Sequence, residues 1–329
     1  MSMPAPASIP SRNDTVLVLV NLGTPEAPTP RAVRRYLSEF LHDRRVVDLT
    51  RWLWCPLLHF VILPLRSPVV AKKYASIWVP GAEGGSPLAV HTRRLAAAVQ
   101  REMPDLRVVD AMRYGQPKLA GVIDRLRDEG VRRVLALPLY PQYSTSTTAS
   151  VGDVLKRAGG VQTRMVEDYH VDAGWIDAVA ASILANRAGR DGGFLLFSFH
   201  GLPQRFIDAG DPYARQCEAG ARAIAQRLGL ADDAWGLSYQ SRFGRERWLE
   251  PSTSATLQSL AARGIRQVDV VAPGFAVDCI ETLEEVAMML AEEFATHGGT
   301  LNYIPCLNDS PAHAQALAAI ARRALEDWR

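Results

Sequence analysis

One of the seven histidines is placed where it could do chemistry. His200 follows the apolar run 194–199 and precedes Gly201, Leu202 and Pro203. The run predicts a buried strand, so the imidazole is expected at the mouth of a sheet, where the glycine lets another group approach closely. We therefore predict a functional role for His200. The other six histidines lie in contexts that suit solvated or structural roles.

Two carboxylates follow a later apolar run. Glu281 and Glu285 are four residues apart, so on a helix they share one face. Like charges on one face are unfavourable unless a cation or a proton lies between them. An imidazole with two carboxylates suits a divalent ion such as Fe²⁺. Acidic residues are also common in a first helical turn because of the helix dipole, and this explains Glu284 well.

A third segment, residues 140–148, begins with tyrosines and continues with serines and threonines. It could cap the following helix, and it would also suit a flat aromatic ligand with polar edges. Phosphate and dinucleotide loops are not indicated, because neither GxxxxGK[ST] nor a GxGxxG that opens a helix occurs. Ser198 lacks the GxSxG elbow of serine hydrolases.

The elements that must position these residues form two sets of strands separated by helical patterns. The first set is residues 16–21, 107–112, 133–139 and 162–166. The second set is residues 194–199, 235–239, 267–272 and 301–304. Short apolar runs that alternate with helices predict parallel sheets with ligand sites beyond the carboxyl ends of the strands. The strand ends of the two sets match in order, which predicts two related halves around a cleft, although short Gly/Pro turns can also match by chance.

Composition limits the remaining possibilities. The 329 residues suffice for two domains, and 37 basic against 35 acidic residues leave a net charge of +2, which does not suggest nucleic acid. The four cysteines contain no CxxC pair, which argues against a disulfide framework and suits a reducing compartment. The N-terminal residues have neither a basic nor an apolar signal region, so we expect a cytoplasmic protein.

Seven segments, taken together and in order, resemble the ferrochelatase family over nearly the whole chain after residue 14. They are VNLGTP (20–25), GGSPL (84–88), MRYG (112–115), LPLYPQYS (137–144), SFHGLP (198–203), YQSRFG (239–244), and PGF (273–275) with ETLEE (281–285). The resemblance implies an α/β fold with two similar Rossmann-like domains, each a four-stranded parallel sheet flanked by helices, with a cleft between them. We expect a disordered tail at 1–14, a first domain from 15–158 plus 307–329, and a second domain from 159–306.

The resemblance also implies site residues. His200 and Glu281 would be the catalytic pair, and His200, Glu281 and Glu285 would handle the metal. The positions expected around the macrocycle are Leu22, Ser86, Arg113, Tyr114, Tyr140, Tyr143 and Trp248. Many family members have histidine where this chain has Cys279, so the role of this cysteine is left open. The C-terminal cysteine extension of some relatives is missing, so neither a [2Fe–2S] cluster nor an organic cofactor is expected.

The implied reaction inserts Fe²⁺ into protoporphyrin IX and releases two protons. His200 would accept a pyrrole proton while Glu281 and Glu285 deliver the metal, or the two roles would be reversed. The alternatives are a chelatase that acts on coproporphyrin or inserts another divalent metal, and a porphyrin or haem carrier without turnover. We expect a monomer.

An insertion in the first half has its own character. Roughly 85 residues separate its first two strands, against about 35 in the second half. This excess contains the apolar stretch 52–65, which is too short to span a bilayer, and nine basic residues against three acids lie between residues 30 and 75. The pattern predicts an apolar lip (about residues 40–85) with a basic rim. Such a lip suits an apolar dianionic porphyrin and peripheral contact with the inner face of a membrane. A core helix with a solvated basic face is the alternative.

Overall fold

The computed structural model describes residues 14–190, 193–244, 246–326 and 328. Its first sheet contains four parallel strands in the order β2-β1-β3-β4. The strands are β1 (Thr15–Gly23), β2 (Arg107–Tyr114), β3 (Arg133–Pro138) and β4 (Gln162–Met165). The central strand β1 is apolar and almost wholly buried, as expected for a strand covered by helices on both faces.

The second sheet repeats the arrangement. Its four parallel strands have the order β6-β5-β7-β8, which is the order of the first sheet. The strands are β5 (Phe194–His200), β6 (Trp235–Gln240), β7 (Gln267–Val271) and β8 (Thr300–Ile304). All eight predicted strands are present to within two residues at each end, and the prediction of two similar four-stranded halves is confirmed.

Helices connect the strands and cover both sheets. In the first half they are α1 (Pro30–Leu41), α2 (Arg51–Leu57), α3 (Leu63–Ile77), α4 (Pro87–Glu102), α5 (Leu119–Asp128) and α6 (Thr148–Arg157). In the second half they are α7 (Ala173–Arg187), α8 (Gln204–Asp208), α9 (Tyr213–Arg227), α10 (Thr253–Ala262), α11 (Ala291–Thr296) and α12 (Pro311–Glu326). Two π-helical segments, π1 (Leu58–Ile62) and π2 (Glu281–Leu290), continue into α3 and α11 respectively.

The predicted domain boundary needs a correction. We placed the start of the second domain at residue 159, but Gln162–Met165 pairs with β3 and is the edge strand of the first sheet. The first unit therefore ends after this edge strand and not after α6, the helix that precedes it. The final helix α12 packs against α4 and β3 of the first half and against α7. Of the predicted tail 1–14, residues 1–13 lie outside the described residues.

The predicted lip is one continuous helix, Arg51–Ile77, formed by α2, π1 and α3 and hereafter called the lip helix. One face is buried mainly against α1 and the loop after it, through Trp54, Leu58, Leu63, Ser67, Ala71 and Tyr74. The opposite face is apolar and exposed in adjacent pairs four residues apart, at 52/53, 56/57, 60/61, 64/65 and 68/69. The lip helix therefore packs against the protein on one face only. The alternative of a core helix fits that buried face but not the exposed apolar face.

The length of the lip helix differs from the sequence expectation. The apolar stretch 52–65 is too short to cross a bilayer, but the helix continues beyond it to 27 residues. By length and composition alone it could cross a membrane, since its most apolar window has a mean hydropathy of 1.5. Only 22% of this window is buried inside the protein. The apolar run therefore identified the exposed face of the helix but did not predict where the helix begins and ends.

Candidate functional site

His200 is the last residue of β5, at the carboxyl edge of the second sheet. Its Nδ1 lies 2.6 Å from the carbonyl oxygen of Gly201. A carbonyl can only accept, so Nδ1 carries the proton and donates it to this bond. In the neutral form of the ring this places the lone pair on Nε2, which no described residue hydrogen-bonds.

Glu281 and Glu285 are carried by the helix that begins beyond β7. The segment π2 starts at Glu281 and continues into α11, and Glu281–Thr296 is hereafter called the acidic helix. The wider π turn keeps residues four and five apart on one face, and such turns are frequent at functional sites. Gln240, at the end of β6, donates from Nε2 to the carbonyl oxygen of Glu281 at 2.7 Å. The start of the acidic helix is thereby fixed to the strand next to His200.

The Glu285 carboxylate is held by the loop after β6. It accepts hydrogen bonds from the backbone N–H of Ser241 at 2.6 Å and from the Ser241 hydroxyl at 2.5 Å. Ser241 adopts a left-handed conformation with φ of 65°, which aims both donors at this carboxylate. Burial raises the pKa of Glu285 above its usual value, and the charge of Glu281 raises it further. The Ser241 hydrogen bonds and the nearby His200 oppose this shift without cancelling it.

The three predicted metal-handling residues thus interact electrostatically at one edge of the second sheet. Within the described part of the chain, however, no three His, Cys, Asp or Glu side chains are grouped as a preassembled metal site. His200, Glu281 and Glu285 therefore do not form a closed coordination shell. Their predicted role as metal ligands remains a prediction.

Trp248, which the family resemblance places near the cleft, packs next to Gly201, the residue after His200. It is 3% exposed, and a Cβ built on Gly201 would lie 3.2 Å from its ring. Phe243 contacts the other side of this ring, with 4.9 Å between the ring centroids. The Trp248 Nε1 is buried without a partner among the described residues. A buried donor of this kind is normally bonded, so a ligand with an acceptor would suit it.

Comparisons with known proteins identify the family of this chain. A family model described as ferrochelatase matches residues 14–325. A ferrochelatase of Xanthomonas axonopodis pv. citri is 57% identical over 317 residues, with coverage of 94% of this chain and 98% of the relative. One from Stenotrophomonas maltophilia is 58% identical over 314 residues, with coverage of 94% and 97%. This chain belongs to the ferrochelatase family.

Solved structures show the same fold at low sequence identity. SirB from Bacillus subtilis with Fe³⁺ matches with a TM-score of 0.52 and 11% identity, and the match covers 94% of this chain and 95% of SirB. CbiX, described as the terminal enzyme of sirohaem biosynthesis in denitrifying bacteria, matches with a TM-score of 0.51 and 17% identity, over 94% and 99% of the two chains. The Rossmann-like chelatase fold is therefore confirmed. The ferrochelatase relationship identifies a metal chelatase that acts on porphyrin in haem biosynthesis.

Two of the residues that ferrochelatases would place around the macrocycle are bound inside a polar network. Arg113 Nη2 and Tyr114 Oη each lie 2.7 Å from one carboxylate oxygen of Asp43. Ser150 Oγ donates to the same oxygen at 2.6 Å. Burial raises the pKa of Asp43, but the hydrogen bonds from Ser150 and Tyr114 outweigh it, and the pKa is lowered overall. Arg113 is therefore held in place through Asp43, a residue that sequence reasoning missed.

The remaining predicted ferrochelatase positions lie at or near strand ends of the first half. Leu22 is the half-buried second-last residue of β1. Ser86 is buried before α4, where it accepts from Thr24 Oγ1, just after β1, at 2.7 Å. Tyr140 follows β3, and its hydroxyl is buried without a described partner. Tyr143 is half-buried, and its backbone N–H donates to Gln216 at 2.6 Å. The structure thus places these residues at the carboxyl edge of the first sheet, and their contact with porphyrin stays a prediction.

Cys279, where many ferrochelatases have histidine, is 2% exposed. Burial raises the pKa of its thiol well above the usual value, and the nearby Glu281 charge adds to the shift. The thiol is therefore neutral and poorly suited to move a proton near neutral pH. Its backbone N–H donates to Thr282 Oγ1 at 2.9 Å, so this residue helps to begin the acidic helix.

Sequence reasoning also missed Tyr74, which the lip helix brings close to Glu281. Its side chain is 5% exposed, and burial together with the Glu281 charge raises the pKa of its hydroxyl. No motif around Tyr74 signals this contact. Only the packing of the lip helix against the acidic helix reveals it.

Proposed function

We propose that this protein is a ferrochelatase that inserts Fe²⁺ into protoporphyrin IX to form protohaem, a lyase reaction that ends haem biosynthesis. The observation that carries the proposal is the pairing of His200, with its Nε2 free to accept, and the carboxylates of Glu281 and Glu285 at one sheet edge. A carrier needs one axial ligand and has no use for an acidic pair. Family membership supplies the reaction class, and this site supports turnover.

Metal insertion requires two pyrrole protons to leave and the iron to lose water. In our proposal His200 accepts a pyrrole proton at Nε2, because Nδ1 is committed to the carbonyl of Gly201. Glu281 and Glu285 bring the ion in and offset its charge, and one of these carboxylates accepts the second pyrrole proton once the ion has moved to the porphyrin. Burial raises the pKa of Glu285, and a neighbouring cation would favour its ionised form. If His200→Ala kept the low-pH limb of the wild-type pH–rate profile, the roles of base and ligand would have to be exchanged.

A planar macrocycle shields its nitrogens, so insertion also needs ring distortion. Binding energy from the rest of the ring must offset this strain. Burial of apolar surface supplies roughly 25 cal/mol per Å². We propose that half-buried strand-end residues of the first half, such as Leu22 and Tyr143, supply that surface.

The deciding experiment mixes purified protein with protoporphyrin IX and Fe²⁺ without oxygen and follows the loss of porphyrin fluorescence. Catalytic loss in wild type, with rates at least 100-fold lower in His200→Ala and Glu281→Gln, is expected. Stoichiometric quenching without turnover in all three proteins would instead indicate a carrier. Parallel reactions with coproporphyrin and with Zn²⁺ compare kcat/KM and identify the preferred tetrapyrrole and metal.

We further propose that the protein is a cytoplasmic monomer that rests on the inner membrane surface through the lip helix. Trp52, Phe60 and Leu65 are 74%, 81% and 68% exposed on the apolar face. The opposite face packs on the protein, for example through the bond from Trp54 Nε1 to the Leu41 carbonyl at 2.8 Å. This arrangement suits a helix that lies in the interface and not one that crosses it.

Positive charge next to the apolar face supports the same proposal. A groove of about 500 Å³ between α1 and the lip helix is lined by three arginines and one acid, Arg31, Arg34, Arg35 and Glu39, together with Ser38, His42, His59 and Leu63. Basic groups at an anionic surface contribute about 1 kcal/mol each. In flotation with phosphatidylglycerol vesicles, Trp52→Ser with Phe60→Ser should lower the bound fraction at least fivefold. Leu184→Ser, at an exposed position outside the lip, is the control, and equal flotation of all variants would contradict membrane contact.

A further inference from the structure

Glu284 stands apart from the two acidic residues beside it. Glu281 and Glu285 interact with His200 or with each other, whereas Glu284 Oε2 lies 2.9 Å from Lys73 Nζ of the lip helix. The side chains of Lys73 and Glu284 are 37% and 15% exposed. This ion pair joins the insertion of the first half to the helix that carries the acidic pair of the second half.

The ion pair borders an apolar contact between the same two helices. Ile280, directly before the acidic helix, packs against the cluster formed by Val33, Ala71 and Tyr74. Tyr74 follows Lys73 and lies close to Glu281. A partly exposed ion pair contributes at most about 1 kcal/mol to folding, so the apolar contact provides the stability here. What the ion pair adds is a fixed orientation of the first turn of the acidic helix.

A second contact connects the lip helix with the other side of the site. The Arg66 guanidinium lies 5.3 Å from the centroid of the Phe243 ring. The Phe243 ring packs at a tilt of 57° against Trp248, whose ring lies next to Gly201, the residue after His200. Phe243 is also two residues from Ser241, the residue that holds Glu285. The lip helix thus touches both the acidic helix and the loop that binds its second carboxylate.

We propose that Lys73 is a positioning residue for metal insertion. By pairing with Glu284, it keeps that carboxylate away from the acidic pair and fixes the rotation of the acidic helix, so that Glu281 and Glu285 face His200. Without Lys73 three like charges would compete in one helical turn, and the first turn would no longer be tied to the lip helix. The inference rests on the proposed role of Glu281 and Glu285 in metal delivery.

The test is a charge swap in the purified full-length protein. Lys73→Glu and Glu284→Lys should each lower kcat/KM for Fe²⁺ about tenfold, since small displacements of reacting groups are costly. The affinity for protoporphyrin IX, measured by fluorescence titration in the absence of metal, should change by less than about twofold. The double variant Lys73→Glu with Glu284→Lys should recover most of the loss, and Lys73→Arg should keep wild-type rates.

Two further measurements separate positioning from folding. Lys156→Glu makes the same charge change at an exposed lysine outside the site and should leave the kinetics unchanged. The melting temperatures of all variants should agree to within about 2 °C, as expected for a weak surface pair. Single variants with wild-type kinetics, or a double variant without recovery, would overturn the inference while leaving the proposed function intact. Absence of turnover in the wild type would overturn both.

Discussion

At the scale of single residues, Glu285 is expected to lower the stability of the fold when it is ionised and to take part in metal delivery. Its folded-state pKa is raised, first by burial, so the folded protein prefers the protonated acid. A carboxyl with a raised pKa lowers stability as pH rises through the unfolded and then the folded pKa. Glu285→Gln removes this ionisation, and the amide oxygen can still accept from Ser241. Its melting temperature relative to wild type should therefore be higher at pH 8 than at pH 5.

The same substitution should slow metal insertion at least tenfold, because one of two carboxylates that offset the cation is lost. Calorimetric scans at both pH values and anaerobic rates measure the two effects on one preparation. A variant that is both fully active and unchanged in the pH dependence of its stability would contradict the role assigned to Glu285.

Gly201 is the second residue with a clear prediction. A Cβ at this position would lie 2.7 Å from the carbonyl oxygen of Gln240 and 3.2 Å from the ring of Trp248. The backbone contact cannot move aside cheaply, so Gly201→Ala should destabilise the fold by about 1–3 kcal/mol. Because His200 bonds to the Gly201 carbonyl, activity should fall at least tenfold. Denaturant titration and turnover are measured beside Gly121→Ala, an exposed helix site where a Cβ meets nothing within 4 Å.

At the scale of elements, Asp43 ties the loop after α1 to β2 and α6. Its lowered pKa means that it stabilises the fold above its unfolded pKa and that this stability is lost as pH falls through the folded pKa. Asp43→Asn should cost about 1–3 kcal/mol at pH 7, the range for hydrogen bonds to a charged group. The loss should become smaller at pH 4 and below. Urea denaturation at pH 7 and pH 3.5 tests this, and an equal loss at both values would argue against the ionised form.

The sequence predicted the elements well and their mutual contacts poorly. The apolar runs determine the strands, and the position of His200 follows from its place at the end of β5. The role of Asp43 could not be read in this way, since its partners Arg113 and Ser150 are 70 and 107 residues away in sequence. The boundary at residue 159 failed for a different reason. Residues 162–166 were assigned to the first set of strands, and their pairing with β3 places the boundary after them.

At the scale of the whole molecule, the two similar halves carry different candidate functional residues. Both sheets have the same strand order, yet the candidate base and the acidic helix lie in the second half. The first half contributes the lip helix and the strand-end residues expected around the macrocycle. In the proposed reaction the second half would therefore supply the proton and metal chemistry, and the first half the porphyrin-binding residues.

The final helix makes the stability of the chain depend on pH through His313. This side chain is fully buried in α12, and its Nδ1 donates to the Asn308 carbonyl at 2.7 Å. Asn308 in turn donates from Nδ2 to Asp278, three residues before Glu281, at 2.7 Å. Burial lowers the pKa of His313 to about 4, so the folded protein keeps it neutral, whereas the unfolded chain takes up a proton near pH 6.5.

This difference makes His313 a source of acid sensitivity. The unfolded state binds the extra proton, so stability falls as pH drops from about 6.5 towards 4, with a loss of about 1–2 kcal/mol between pH 7 and pH 5. His313→Gln keeps a donor for Asn308 but cannot be protonated. Its free energy of unfolding should therefore change less between these pH values than that of wild type, as measured by urea titration. If the free energy of unfolding changed equally with pH in the two proteins, His313 would not be neutral in the folded state. The hydrogen bond from α12 to Asn308 would then not depend on an uncharged imidazole.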